Sequence, residues 1–166
     1  MPTLSNKSPL IIFEMANNHM GDVDHGLAII DVYGKLAKEY PFDFAFKFQF
    51  RDIPTFIHPD YKDRLDIKAV KRFSETVLTP EEFKLLVDRV RALEMYVITT
   101  PFDEKSVEFA TELNADILKI ASCSFTDWPL FEAIASCPKP IIASTAGATL
   151  QDIDNVVSFF QHRDKE

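Results

Sequence analysis

The sequence predicts an α/β fold of the TIM (β/α)8 barrel type, incomplete, with about five of eight β/α units present. Short apolar runs alternate strictly with amphipathic stretches, which implies a parallel sheet with right-handed crossovers. Each apolar run carries a polar group near its C-terminal end, where barrel enzymes place their chemistry. The chain has 166 residues, whereas a full barrel takes about 250.

Taken in order, strands are expected at Leu10–Ala16, Phe44–Phe50, Tyr96–Phe102, Asp116–Ser122 and Pro140–Ala146. Helices are expected near Val23–Glu39, Pro80–Leu93, Lys105–Leu113, Pro129–Ser136 and Thr149–Gln161. Thr79-Pro80-Glu81-Glu82 combines a capping box with proline in the first turn. Asp103 and Thr149 stand where N-caps belong, just after the third and fifth strands. From Arg51 to Leu78 the rhythm breaks into a long excursion. It contains His58-Pro59-Asp60 and a charged stretch, Asp60–Arg72, read as a solvated helix face able to cover a site. Long insertions at a strand's C-terminal end are commonly functional.

Composition narrows the function. With 18 Lys+Arg against 26 Asp+Glu, the formal net charge is −8. That balance argues against nucleic-acid binding, which needs a clustered basic face. No run of about eighteen apolar residues is present to span a membrane, and Met1–Ser8 lacks the apolar core of a signal peptide. Two cysteines, Cys123 and Cys137, make neither a disulfide framework nor a zinc spacing. A reduced, cytoplasmic setting follows as the expectation. Only 4 glycines occur beside 15 phenylalanines, and no glycine-rich phosphate loop is present. Any anion must be held by side chains and helix ends.

The second strand is the most informative. In Phe44-Ala45-Phe46-Lys47-Phe48-Gln49-Phe50, alternation sends four phenylalanines to one face and Ala45, Lys47 and Gln49 to the other. An unpaired lysine inside a sheet covered on both faces would be unfavourable by several kcal/mol. A barrel lumen opening to an active site accommodates it. Glu14 in the first strand, Thr99-Thr100 in the third, Lys119 and Ser122 in the fourth and Ser144-Thr145 in the fifth repeat the pattern. A pairing of Glu14 with Lys47 or Lys119 would only close the barrel. Polar ends on all five strands together favour a site. Two lysines against one carboxylate call for an anionic ligand, and lysine is a common phosphate partner.

These segments are similar to motifs of a known family. Glu14-Met-Ala-Asn-Asn18-His19-Met-Gly21, Lys47-Phe48-Gln49, Thr100-Pro101-Phe102-Asp103, Lys119-Ile120-Ala121-Ser122 and Ser144-Thr145-Ala146-Gly147 occur in that order. Together they resemble the N-acetylneuraminate (sialic acid) synthase family over roughly residues 9–161. The resemblance implies a barrel followed by a small antifreeze-like domain. It also implies a transferase condensing phosphoenolpyruvate with an N-acyl-hexosamine aldehyde to a nine-carbon 2-keto acid and phosphate. It assigns Lys47, Lys119, Ser122, Ser144 and Thr100 to the phosphoenolpyruvate anion and Glu14 to the reacting centre. Asn18, Gln49 and Phe102 fall on the sugar side. A homodimer and a divalent metal (Mn or Mg) acting as Lewis acid are also implied.

The chain departs from that family in three ways. The family's metal-binding histidines lie on the sixth and seventh strands, so no metal site is assigned to His19, His25, His58 or His162. Cys123-Ser124 replaces a Gly-Glu pair, which leaves open another acceptor, such as a bacillosamine-derived or legionaminic-type precursor. Residues 1–166 match the N-terminal part of the barrel alone, and this chain by itself is expected to be inactive. Cys123 is read as a small buried hydrophobe and Trp128 as helix-to-barrel packing. Two rivals remain: a class I aldolase using Lys119 as Schiff-base lysine, and a non-catalytic flavodoxin-like domain. Strand order separates the latter, 1-2-3-4-5 meaning barrel and 2-1-3-4-5 flavodoxin-like.

Overall fold

The computed structural model describes residues 8–163; the leader reading of Met1–Lys7 lies outside the described residues. Five parallel strands, β1 (Leu10–Glu14), β2 (Asp43–Phe50), β3 (Tyr96–Pro101), β4 (Ile117–Ile120) and β5 (Ile141–Ala143), form one sheet. Their order is β1-β2-β3-β4-β5. Sequential order excludes the flavodoxin-like alternative, whose second strand would lie outside the first. The sheet curls as part of a barrel wall. Among the described residues no helix is long and apolar enough to cross a membrane.

The phenylalanine alternation of β2 works as expected. Phe46, Phe48 and Phe50 are almost wholly buried in the main apolar cluster. They pack outward beneath α1 (Val23–Ala37), α4 (Pro80–Ala92) and α5 (Glu104–Glu112). Phe83 of α4 meets Phe50 edge-on at 4.8 Å, and Phe109 of α5 meets it at the same distance. On the opposite face Ala45, Tyr96, Ile98 and Ile117, joined by Leu10, make a smaller cluster. This apolar plug closes the lumen at the N-terminal end, so polar side chains further along each strand rest on a dry floor.

The helix starts follow the predicted chemistry. Thr79 and Glu82 complete a capping box at α4, and Thr149 with Asp152 completes one at α7 (Leu150–Gln161). Asp103 caps α5 by accepting from the Ser106 amide. Trp128, at the start of α6 (Trp128–Ser136), packs on Phe131 and Phe159 at 5.4 and 5.5 Å, between helices.

The structure corrects several bounds. β1 ends at Glu14, because Ala16 turns to φ 45° and breaks the extended path. β5 is three residues long. The Arg51–Leu78 excursion holds α2 (Ile53–Phe56), a 3-10 turn (Pro59–Tyr61) and α3 (Lys68–Glu75). Most of the charged stretch expected as a helix face is therefore turn, and only its last residues enter α3.

Candidate functional site

The strand register brings the predicted polar residues together at the C-terminal end of the sheet. Glu14 stands opposite Lys47, and Gln49 opposite Thr100. Lys119 lies two residues beyond Ile117 of the apolar plug, and so on the same face. Lys47 and Glu14 form an ion pair, with 13% of the lysine side chain and 44% of the carboxylate side chain accessible. Lys47 is the enclosed partner, and it also donates to Thr100 Oγ1 at 3.5 Å. Glu14 is held from its other side by the Ala16 amide, 3.1 Å from Oε1.

Lys119 is half-buried and makes no ion pair among the described residues. Burial pushes its ammonium below the ordinary lysine value of 10.5; the nearby Lys47 charge adds to this and Glu14 opposes it. The strand ends therefore hold one lysine in an ion pair and one without an ion-pair partner among the described residues. Such a site favours an anion with several oxygens.

Gln49 and Phe102 are gathered around Arg51, which the sequence reading did not single out. Arg51 Nη2 donates to Gln49 Oε1 at 2.9 Å. The guanidinium lies 3.8 Å from the Phe102 ring centroid, 4.3 Å from Phe73 and 5.6 Å from Phe56. Those rings come from the end of β3, from α3 and from α2, so one cation gathers most of the excursion onto the barrel mouth. Desolvation lowers Arg51 to about 10, against raising contributions from Cys123 and Asp103. Asn17 Nδ2 bonds Thr76 Oγ1 at 2.6 Å, which ties the β1–α1 loop to the end of α3. Asn18, Gln49 and Arg51 line one open cavity there.

Ser122 and Ser144 stand apart from this cluster. Ser122 opens a 3-10 turn and lines a separate crevice of about 200 Å³ with Ala146 and Gly147. Ser144 follows β5 and is held by its amide, which donates to the Ile120 carbonyl at 3.0 Å. Cys123 is exposed at this mouth, not buried, whereas Cys137 is the buried thiol. The correction has a simple cause: β4 ends at Ile120, and Cys123 sits in the 3-10 turn that follows, Ser122–Ser124, where it is exposed.

The residues present do not fit a divalent metal. Among the described residues no cluster of three His, Cys, Asp or Glu side chains could hold one. His19 is buried, and its Nδ1 accepts from the Gly21 amide at 3.1 Å. His25, His58 and His162 are exposed and scattered.

The NeuB family description matches residues 35–166. The chain belongs to the NeuB family. It is 55% identical to a spore coat polysaccharide biosynthesis protein E of Chromobacterium violaceum, with a TM-score of 0.92, covering 95% of this chain and 47% of that one. A Leptospira borgpetersenii N-acetylneuraminic acid (sialic acid) synthetase, solved with citrate, is 28% identical with a TM-score of 0.80, over 96% of this chain and 52% of that one. The N,N'-diacetyllegionaminic acid synthase of Campylobacter jejuni is 27% identical over 92% of this chain and 46% of its own length. This NeuB-family chain thus spans about half the length of the proteins it matches.

Proposed function

We propose that the chain forms the phosphoenolpyruvate-binding half of a NeuB-type synthase acting in carbohydrate biosynthesis, as part of a (β/α)8 barrel. The single observation that carries this reading is the lysine pair at the strand ends, with Lys47 in an ion pair with Glu14 and Lys119 without an ion-pair partner among the described residues. The reaction joins phosphoenolpyruvate to an N-acyl-hexosamine aldehyde. Electrons of the enol C2–C3 double bond form the new bond from C3 to the aldehyde carbon, and the aldehyde oxygen takes a proton. Water then adds at C2, the C2–O bond to phosphate breaks, and a 2-keto acid and phosphate leave.

In this scheme Lys47, Lys119 and Thr100 bind the phosphate and carboxylate oxygens, with Ser122 and Ser144 at the β4 and β5 ends. Orienting both reactants supplies much of the acceleration. In the same scheme Glu14, paired with Lys47, takes part in handling the proton of the attacking water. Gln49, Asn18 and Phe102 face the sugar. A homodimer and a cytoplasmic setting accompany the proposal, and its metal would come from outside residues 8–163.

Titration calorimetry with phosphoenolpyruvate tests the reading. Lys47→Ala and Lys119→Ala should each weaken binding by more than about tenfold, a loss of about 1.4 kcal/mol; unchanged affinities would overturn it. The lowered Lys119 amine also supports a second reading, Schiff-base aldolase chemistry. Borohydride treatment with a keto acid separates the two, since a covalent adduct on Lys119 belongs only to the aldolase.

A further inference from the structure

The reading above uses the lysine layer for phosphoenolpyruvate and leaves a second group of cations unexplained. An open cavity of about 630 Å³ lies between the β1–α1 loop and α3, with Asn18, Gln49 and Arg51 among its lining residues. Lys68, Lys71, Arg72 and Glu75 of α3 also line it. Their spacing is i, i+3, i+4, i+7, which is one face of a helix. Val70, off that face, is buried. The helix therefore turns its charged face to the barrel mouth. Glu75 is the carboxylate there among the described residues, and it is engaged by Lys71 at 3.8 Å.

Arg51 adds a cation of a different kind. It is fixed between aromatic rings, and its Nε is buried without a hydrogen-bond partner. In a chain of net charge −8, four cations converging on one cavity against one paired carboxylate produce a local positive field. A neutral sugar is recognised through hydroxyls and amides and gains little from such a field. Gln49, on the acceptor side of the proposed reaction, lines the same cavity. A hexosamine held at Gln49 can reach the cations without crossing the phosphoenolpyruvate layer.

We propose, resting on the function above, that this cavity receives an anionic group of the acceptor, a phosphate or carboxylate remote from its aldehyde. Arg51 is the cation caged by rings, and Lys68, Lys71 and Arg72 add charge from the exposed face of α3.

The test is calorimetry on the 166-residue chain with four probes: phosphoenolpyruvate, N-acetylmannosamine, its 6-phosphate and N-acetylmannosaminuronate. At least one anionic sugar should bind about tenfold or more tighter than the neutral one, and the larger gain names the group. Raising the salt concentration should erode that gain but leave the neutral sugar unaffected. Combining Lys68→Gln, Lys71→Gln and Arg72→Gln, all on the exposed helix face, should abolish the gain with phosphoenolpyruvate affinity within twofold of the parent. Equal binding of charged and neutral sugars while phosphoenolpyruvate still binds would overturn the inference alone. A gain that survives the triple variant would overturn it as well. Failure of phosphoenolpyruvate to bind, with the anionic sugar still preferred, would overturn the condensation and leave the cationic cavity standing. Failure of both would overturn both.

Discussion

Glu14 and Lys47 stand opposite each other in the β1–β2 register, and their side chains form an ion pair over the apolar floor of the lumen. The pair neutralises one of the two site lysines before any ligand arrives. Part of the attraction that Lys47 could offer an anion is thus already committed to Glu14.

Replacing Glu14 by Gln removes that competitor. Phosphoenolpyruvate should bind about three- to tenfold more tightly to Glu14→Gln, because one positive charge is released. Lys119 should titrate lower still, since Glu14 is one of the charges that raise it. Calorimetry measures the first effect and pH titration of the labelled lysine amines the second. Weaker binding in Glu14→Gln would mean that the carboxylate orients Lys47 more than it competes for it.

Lys119 gives the site a pH signature. Its pKa in the folded chain lies below the ordinary 10.5, chiefly through burial. As pH rises it therefore loses its charge before an exposed lysine does. Anion affinity should fall in that earlier alkaline range, and binding there should be accompanied by proton uptake. Calorimetry in two buffers of different ionisation heat reads the uptake directly. The stability sign follows from the same shift. Between the folded pKa and 10.5 the unfolded chain binds more protons, so the contribution of Lys119 to stability rises with pH. Lys119→Arg should move the affinity limb upward, because guanidinium holds its proton.

Arg51 is the cation that gathers α2, α3 and the end of β3. Arg51→Ala removes the Gln49 hydrogen bond together with stacking on Phe102 and Phe73. A loss of about 2–3 kcal/mol is expected from one charged hydrogen bond and one desolvated cation–π contact. Arg51→Lys should recover less than half of it, because an ammonium cannot reproduce the planar fork. Urea denaturation gives the energies. Hydrogen exchange should show amides of α2 and α3 losing protection before those of β2.

Gly21 and Gly147 form an internal control for backbone strain. Both have positive φ, 76° and 81°. A Cβ on Gly21 would lie 2.8 Å from the Glu75 carbonyl oxygen, whereas one on Gly147 meets nothing within 4 Å. Gly147→Ala should cost about 1 kcal/mol of conformational strain. Gly21→Ala should cost clearly more, because the β1–α1 loop must then lift from the end of α3. Thermal melts of the two variants provide the comparison, and equal losses would show that the close approach to Glu75 is not tight.

The alternation in β2 was legible because a period of two with four phenylalanines allows one orientation of the strand. The caps at Thr79, Asp103 and Thr149 were legible because a cap is a local arrangement of neighbouring residues. Glu14, Lys47 and Lys119 were found as polar interruptions in apolar runs, a signal that needs no tertiary information.

Arg51 carried no such signal. Its environment is made by Phe56 together with Phe73 and Phe102, which come from separate elements and meet only after the excursion folds back. The exposure of Cys123 was likewise invisible, since it depends on where β4 stops and which way the next turn faces.

Hydrophobic periodicity and local capping therefore decided the β/α alternation and the inward placement of the lysines. Tertiary contact decided the strand order, the neutralisation of Lys47 by Glu14 and the caging of Arg51. It also turned the cationic face of α3 toward the mouth of the site. The division is physical: alternation and caps are written in residues a few positions apart. Charge pairing, desolvation and ring stacking depend on distances between segments that chain folding alone sets.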